Sequence, residues 1–226
     1  MISIVLPTKG RPDNLRRLHR SVTDTATDPI QFSIYADDDL ETADVGRSLD
    51  MVVTAGPHIV LSEMWNVAQR AATGDIFMLC GDDVIFRTPG WDQMVEAEFA
   101  KVPDRILLVH GDDLSGNAHN GSTYGFVHRN WVNAVGFVPG IFECDYVDAW
   151  QNYLADALGR RVYLPDLITE HLHPSFGKAV IDATYRGGRD RYRDHRVYDV
   201  WDMSEKERMV DVEKLRNLIS DGVSLK

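Results

Sequence analysis

Aspartates gather at three places where apolar runs end: Asp37, Asp38 and Asp39 after QFSIYA, Asp82 and Asp83 inside FMLCGDDVIF, and Asp112 and Asp113 after RILLVHG. Burying an unpaired carboxylate is costly or forces it to take up a proton, and two side by side also repel each other. The pair inside the otherwise apolar FMLCGDDVIF therefore needs an offset: water at a loop, basic side chains, or a metal ion. Carboxylates converging on a loop suit a hard divalent cation, and Mg²⁺ or Mn²⁺ commonly bridges a few of them to substrate phosphates. His171 and His173, in TEHLHP, lie two apart on an extended segment, so their side chains point the same way. Their position before a proline at a strand end favours ligation over core packing. Asp148 opens a helical stretch and fits two roles, a base for a hydroxyl proton or an acid that complements the helix dipole.

The elements that position these groups follow from periodicity. ISIVLP is a short apolar run suited to a buried parallel strand, and the polar loop TKGRPDNL follows it. Leu15, Leu18 and Val22 share one helical face. Strands are expected at Phe32–Ala36, MVVTAG, DIFMLCGDD, RILLVHGDD and RRVYLPDLITEHLHP. Helices are expected at SEMWNVAQRAATGD, Gly90–Phe99, DYVDAWQNYLADALG and SEKERMVDVEKLRNLI, while STYGFVHRNWVNAVG reads as mixed. Strands alternating with helices predict an α/β fold, a mostly parallel central sheet flanked by helices with a C-terminal helical tail. Ligands of such sheets bind beyond the carboxyl ends of the strands, so the acid clusters would share one edge.

The chain has 226 residues, enough for one large α/β domain and a short tail. A net charge of −11 argues against general nucleic-acid binding, which needs a basic face. No apolar run approaches a membrane span, and MISIVLPTKGR reads as a strand entering a loop and not as a signal peptide. Two isolated cysteines, Cys80 and Cys144, suit reduced thiols, so a cytoplasmic protein is expected. Trp65, Trp91, Trp131 and Trp150 read as packing residues, with Trp131 or Trp150 as the alternative platform for a stacked ligand ring.

The order of motifs resembles family 2 glycosyltransferases, whose nucleotide-diphospho-sugar transferase (GT-A) fold would cover about 1–174. Residues 1–100 would be the nucleotide half, 101–174 the acceptor half, and 175–226 a tail with an arginine-rich loop and a helix. ISIVLPTKGRPDNL is similar to that family's opening strand and nucleotide loop, which implies that Thr8 and Arg11 lie near the base. YADDDLETAD resembles its second strand and acidic turn, implying that Asp37 or Asp38 contacts base or ribose. EMWNVAQRAATGDIFMLCGDD resembles the segment carrying the acidic metal motif, with Cys80 where the longer pattern has its first acid. The resemblance implies that Asp82 faces ribose or metal and that Asp83 holds Mn²⁺ or Mg²⁺ against the diphosphate. FECDYVDAWQNYLADALGRRVYLPD resembles the region of the acceptor-activating acid. Val147-Asp148 stands there for the usual Glu-Asp, so Asp148 is the expected base and Asp145 its competitor. EHLHP resembles the metal-completing histidine, with His171 fitting the spacing and His173 the alternative.

The resemblance implies a UDP- or GDP-sugar donor, with an acceptor that is a glycan, a protein, a small molecule or modified nucleic acid. Arg186, Arg189, Arg191, Arg193 and Arg196 flank Gly187-Gly188. They read either as a solvated loop or as a lid, hinged at the glycines, whose Arg189 and Arg191 would close on the diphosphate. Rival readings are a nucleotidyltransferase, a phosphoester hydrolase using Asp82, Asp83, His171 and His173, and a nucleotide-sugar-binding module without catalysis. The nucleotidyltransferase would carry a glycine-rich loop after the first strand, where TKGRPDN has a single glycine.

Overall fold

The computed structural model describes residues 1–221. Its first half alternates strand and helix: β1 (Ile2–Thr8), α1 (Pro12–Thr25), β2 (Gln31–Asp37), α2 (Leu40–Ser48), β3 (Val52–Gly56), α3 (Leu61–Ala71) and β4 (Ile76–Leu79). These four strands are parallel and lie side by side as β3-β2-β1-β4. The second half contributes β5 (Val84–Phe86), α4 (Trp91–Ala100), β6 (Leu108–Asp112), β7 (Gly125–His128), α5 (Arg129–Val135), α6 (Val147–Leu158) and β8 (Arg161–His171). Helices α7 (Ala183–Asp194), α8 (Val197–Met203) and α9 (Glu205–Asp221) complete the described chain.

All eight strands join one sheet, in the order β3-β2-β1-β4-β7-β6-β8-β5. Strand β7 is antiparallel to both its neighbours, which restores β6 to the direction of β4. The carboxyl ends of β2, β4 and β6 therefore open on one edge, and the three acid clusters share it. The fold is a mostly parallel α/β sheet flanked by helices, as the alternation predicted, with β7 and β5 as its antiparallel members.

Two apolar layers hold the sheet. On β1, Ile2, Ile4 and Leu6 pack with Leu15, Leu18 and Val22 of α1 and with Trp91, Val95 and Phe99 of α4. The alternate residue Val5 faces the other layer, where Phe77 and Leu79 of β4 meet Met64 and Trp65 of α3, Trp131 of α5 and Trp150 of α6. This period of two is what a strand covered on both faces requires. Cys80 is fully buried and packs as a small apolar side chain.

The C-terminal segment is not a detached tail. Val212 and Leu215 of α9 enter the same core as Trp131, Trp150 and Leu154. Buried Arg208 lies 3.8 Å from the ring centroid of Trp201, which itself stacks on Tyr146 at 5.3 Å.

Four expectations change. The turn after Asp39 is the start of helix α2, capped by the Asp39 side chain on the Thr42 amide. The mixed STYGFVHRNWVNAVG resolves into β7 and α5. The arginine-rich stretch is helix α7 and not a loop; the Asp182 carboxylate accepts from the Tyr185 amide and caps it. Trp131 and Trp150 are buried, with 1% and 4% exposure, so neither offers a face to a sugar.

Candidate active site

A cavity of about 440 Å³ opens at the carboxyl edge of the parallel strands. Pro7 and Thr8 at the end of β1, Lys9 and Arg11 just after it, Asp37 at the end of β2, and Leu61, Met64 and Trp65 of α3 form one side. Asp145, Val147, Asp148, Arg189 and Arg191 form the other, and Asp82, Asp83, Tyr124, His171 and His173 line the space between them. Every predicted site residue except Asp38 lines this cavity. Asp38 is exposed and holds a left-handed backbone, φ 50°.

Strand pairing explains why Asp83 meets His171. Val84 of β5 sits opposite His171 of β8 in an antiparallel ladder. The Leu172 amide donates to the Asp83 carbonyl at 2.8 Å, and the His171 amide to the Asp113 carbonyl at 3.0 Å. Residues 88 positions apart in sequence are thus held side by side, and Asp83 Oδ2 lies 3.3 Å from His171 Nε2. Tyr124, just before β7, donates its hydroxyl to Asp83 Oδ1 at 3.0 Å and lies 3.0 Å from His171 Nε2.

Asp82 faces the other way. Its Oδ2 accepts from Thr8 Oγ1 at 2.8 Å and its Oδ1 from Arg11 Nη1 at 3.0 Å. Burial still lifts its carboxyl to about 6, with Arg11 pulling down and Asp83 adding to the rise. Asp83 moves in the opposite direction. Burial would raise it, but His171, Arg11 and Tyr124 together hold its carboxyl below the usual range.

The adjacent acids thus find partners within the chain: Thr8 and Arg11 for one, Tyr124 and His171 for the other. Of the offsets expected for the buried pair, basic and polar side chains are present within the fold. Arg11 also grips Asp182 with two bonds, Nε to Oδ2 at 2.7 Å and Nη2 to Oδ1 at 2.9 Å. One guanidinium therefore ties the acid pair to the start of α7.

The donor set still fits a divalent ion. A carboxylate oxygen and an imidazole nitrogen 3.3 Å apart are spaced like neighbouring ligands around one ion with bonds of about 2.1 Å. His171 Nδ1 is buried without a hydrogen-bond partner, so no bond of that nitrogen fixes the tautomer. Among the described residues no cluster of three or more His, Cys, Asp or Glu gathers, so the protein alone would leave most of such an ion's positions to phosphate and water. His173 stands beside this pair, its ring centroid 4.9 Å from that of His171, and its Nδ1 accepts the Ser175 amide at 3.3 Å.

Asp37 closes the side of the cavity formed by β1 and α3. Its Oδ2 meets Lys9 Nζ at 3.3 Å and His58 Nδ1 at 2.9 Å, while Oδ1 is buried with no partner. An acceptor oxygen left bare in a cavity wall is an invitation to an N–H or O–H donor. Across the cavity, α6 begins after two consecutive left-handed residues, Asp145 (φ 44°) and Tyr146 (φ 60°). Such conformations cost about 1–3 kcal/mol each in a non-glycine residue. The stacking of Tyr146 on Trp201 and Phe142 holds the turn in place. The turn delivers Asp148 to the first turn of α6, half-buried, where burial, aided by Asp145, lifts its carboxyl to about 6. Asp145 is exposed, and its Oδ2 lies 3.9 Å from Arg189 Nη1.

Lys9, His58, Trp65, Tyr124 and Asp182 were missed from the sequence. Their partners are distant in the chain, and nothing in their local pattern marks them.

No protein-family model matches the sequence, and no curated protein matches it. Solved structures match the fold. The mannosyltransferase PcManGT from Pyrobaculum calidifontis, in complex with GDP-Man and Mn²⁺, superposes with a TM-score of 0.62 at 15% identity, over 84% of this chain and 60% of that one. The fold is of the GT-A type. The 1–349 fragment of S. aureus TarS in complex with UDP gives 0.56 at 14% identity, over 74% of this chain and 59% of that one. Glucosyl-3-phosphoglycerate synthase from Mycobacterium tuberculosis, with Mn²⁺, UDP and glucosyl-3-phosphoglycerate, gives 0.55 at 16% identity, over 76% and 72%. The chain therefore spans about 60% of PcManGT's length. No helix among the described residues is long and apolar enough to cross a membrane.

Proposed function

We propose that this protein is a glycosyltransferase that moves a sugar from a UDP- or GDP-sugar to an acceptor hydroxyl. The observation that carries the proposal is the Asp83–His171 pair, 3.3 Å apart at the strand edge of a GT-A sheet. Solved structures of that fold with GDP-Man and Mn²⁺, or with Mn²⁺ and UDP, support it.

In this reading Asp37 Oδ1, buried and unpartnered, accepts a hydrogen bond from the base or ribose. Thr8 and Arg11 hold Asp82 at the floor of the same half and set the shape of the nucleotide pocket. Asp83 and His171, with His173 beside them, would hold Mn²⁺ or Mg²⁺, which neutralises charge on the departing diphosphate. Asp148 takes the proton of the acceptor hydroxyl as its oxygen bonds to the anomeric carbon. The bond from that carbon to the diphosphate oxygen breaks, and the nucleoside diphosphate leaves with the electron pair. Lys9 and Arg11 add positive charge on the donor side.

The bond that breaks separates this reading from a phosphoester hydrolase. Phosphorus-31 NMR of UDP-glucose or GDP-mannose incubated with protein and Mn²⁺ should show intact UDP or GDP as product. Nucleoside monophosphate with sugar phosphate would mean that a P–O bond is cut, and would overturn the proposal.

A further inference from the structure

The arginines of α7 and of the turn after it divide by direction. Arg193 is neutralised by Asp190 at 3.0 Å and Asp194 at 3.4 Å, Arg196 pairs with Asp199, and Arg186 donates to the Ile181 carbonyl. Arg189 and Arg191 alone among these five line the cavity, and neither has a carboxylate within hydrogen-bond distance among the described residues. The nearest carboxylate to Arg189 is that of Asp145, at 3.9 Å, too long for a hydrogen bond, and its guanidinium lies 5.1 Å from the Tyr192 ring centroid. Arg191 makes no ion pair among the described residues, and its buried Nε has no hydrogen-bond partner. Its guanidinium lies over Gly187, with Nη1 3.4 Å from where a Cβ would stand. A chain of net charge −11 thus keeps two under-neutralised guanidinium groups facing its cavity.

Their position decides what they face. The donor side has its own cations, Lys9 on Asp37 and Arg11 on Asp82. Arg189 and Arg191 instead adjoin the turn before α6. Burial and Asp145 push the Cys144 thiol up to about 12, and Arg191 and Arg189 pull against them. Asp148, the proposed base, starts three residues beyond Asp145 on the same turn.

Building on the glycosyltransferase reading, we infer that Arg189 and Arg191 bind an anionic group on the acceptor, a phosphate or a carboxylate carried near the reacting hydroxyl, and not the donor diphosphate. A guanidinium matches both anions with two parallel bonds, and of the two Arg191 is the more buried.

The test starts from protein saturated with Mn²⁺ and either UDP or GDP. Glycerol 3-phosphate, glycerate and glycerol are then titrated, with binding read by thermal midpoint and calorimetry. The charged probes should bind and glycerol should not; which of the two binds more tightly tells phosphate from carboxylate. Arg191→Gln should weaken the charged probe about tenfold or more, with nucleotide binding unchanged. Arg193→Gln, on the outer face, should match wild type. Equal binding of glycerol and its charged relatives would overturn the inference, as would loss of nucleotide binding in Arg191→Gln. Failure of both nucleotides to bind wild type would instead remove the transferase reading, and this assignment with it.

Discussion

In the proposed reaction Asp148 carries the proton transfer. Burial, with Asp145 adding, raises its carboxyl to about 6. In the proposed reaction the ionised form is the base, so it is present above that pH and lost below it. With donor saturating, sugar transfer should fall as pH drops through about 6. Asp148→Asn should lower kcat by about 10²–10⁴ while donor affinity stays near wild type, and the acid limb should vanish from what activity remains. If Asp145→Asn shows that pattern and Asp148→Asn does not, the exposed acid is the base. At this scale much of the site was legible. Asp82 and Asp83 stood out because ionisable groups in an apolar run are costly without a use, His171 and His173 by their two-apart spacing before a proline, and Asp148 by its place at a helix start. Their partners did not: Tyr124 is 41 residues from Asp83, and Arg11 is 171 from Asp182, separations that no local pattern reports.

Helix α7 shows what periodicity leaves out among the elements. It has no buried residue and carries Gly187 and Gly188 within it, each costing about 1 kcal/mol against alanine. Read for apolar spacing, such a stretch looks like a loop. What holds it is polar: the Asp182 cap, the Arg11 fork on that same carboxylate, and Thr184 Oγ1 donating to the Lys9 carbonyl at 2.9 Å.

The helix is thus fastened at its first turn to the loop after β1 and, through Arg11, to the acid pair. Asp182→Ala removes the cap and the fork together, a loss of about 1–3 kcal/mol. Limited trypsin digestion after Arg186, Arg189, Arg191 and Arg193 should speed up at least about fivefold, since cleavage follows the population of opened helix. An unchanged cutting rate would show that contacts further along α7 hold it. Strand direction was the other illegible feature. The apolar runs of β7 and β4 look alike, yet one is antiparallel, because direction is set by the connections and not by composition. The short α2 hid for a related reason: its capping aspartate sits in a cluster that reads as a turn.

Taken as a whole, the molecule is an acidic chain that gathers carboxylates at one edge of its sheet and supplies them with internal partners. Thr8, Arg11, Tyr124 and His171 let the fold stand without an ion, while Asp83 and His171 remain spaced to share one. The central claim is that this pair holds a divalent ion for a nucleoside diphosphate. Its most direct test is the thermal midpoint of wild type and Asp83→Asn with saturating UDP or GDP, with and without Mn²⁺. Ligand at about a hundred times its Kd adds about 2.7 kcal/mol, which for a chain of this size is a rise of roughly 5–10 °C. Wild type should show that rise with one nucleotide and Mn²⁺ together, and much less with either alone. Asp83→Asn should lose the Mn²⁺-dependent part, its ligand-free midpoint moving by no more than a few degrees. An equal Mn²⁺-dependent rise in the variant, or none in wild type with either nucleotide, would contradict the account.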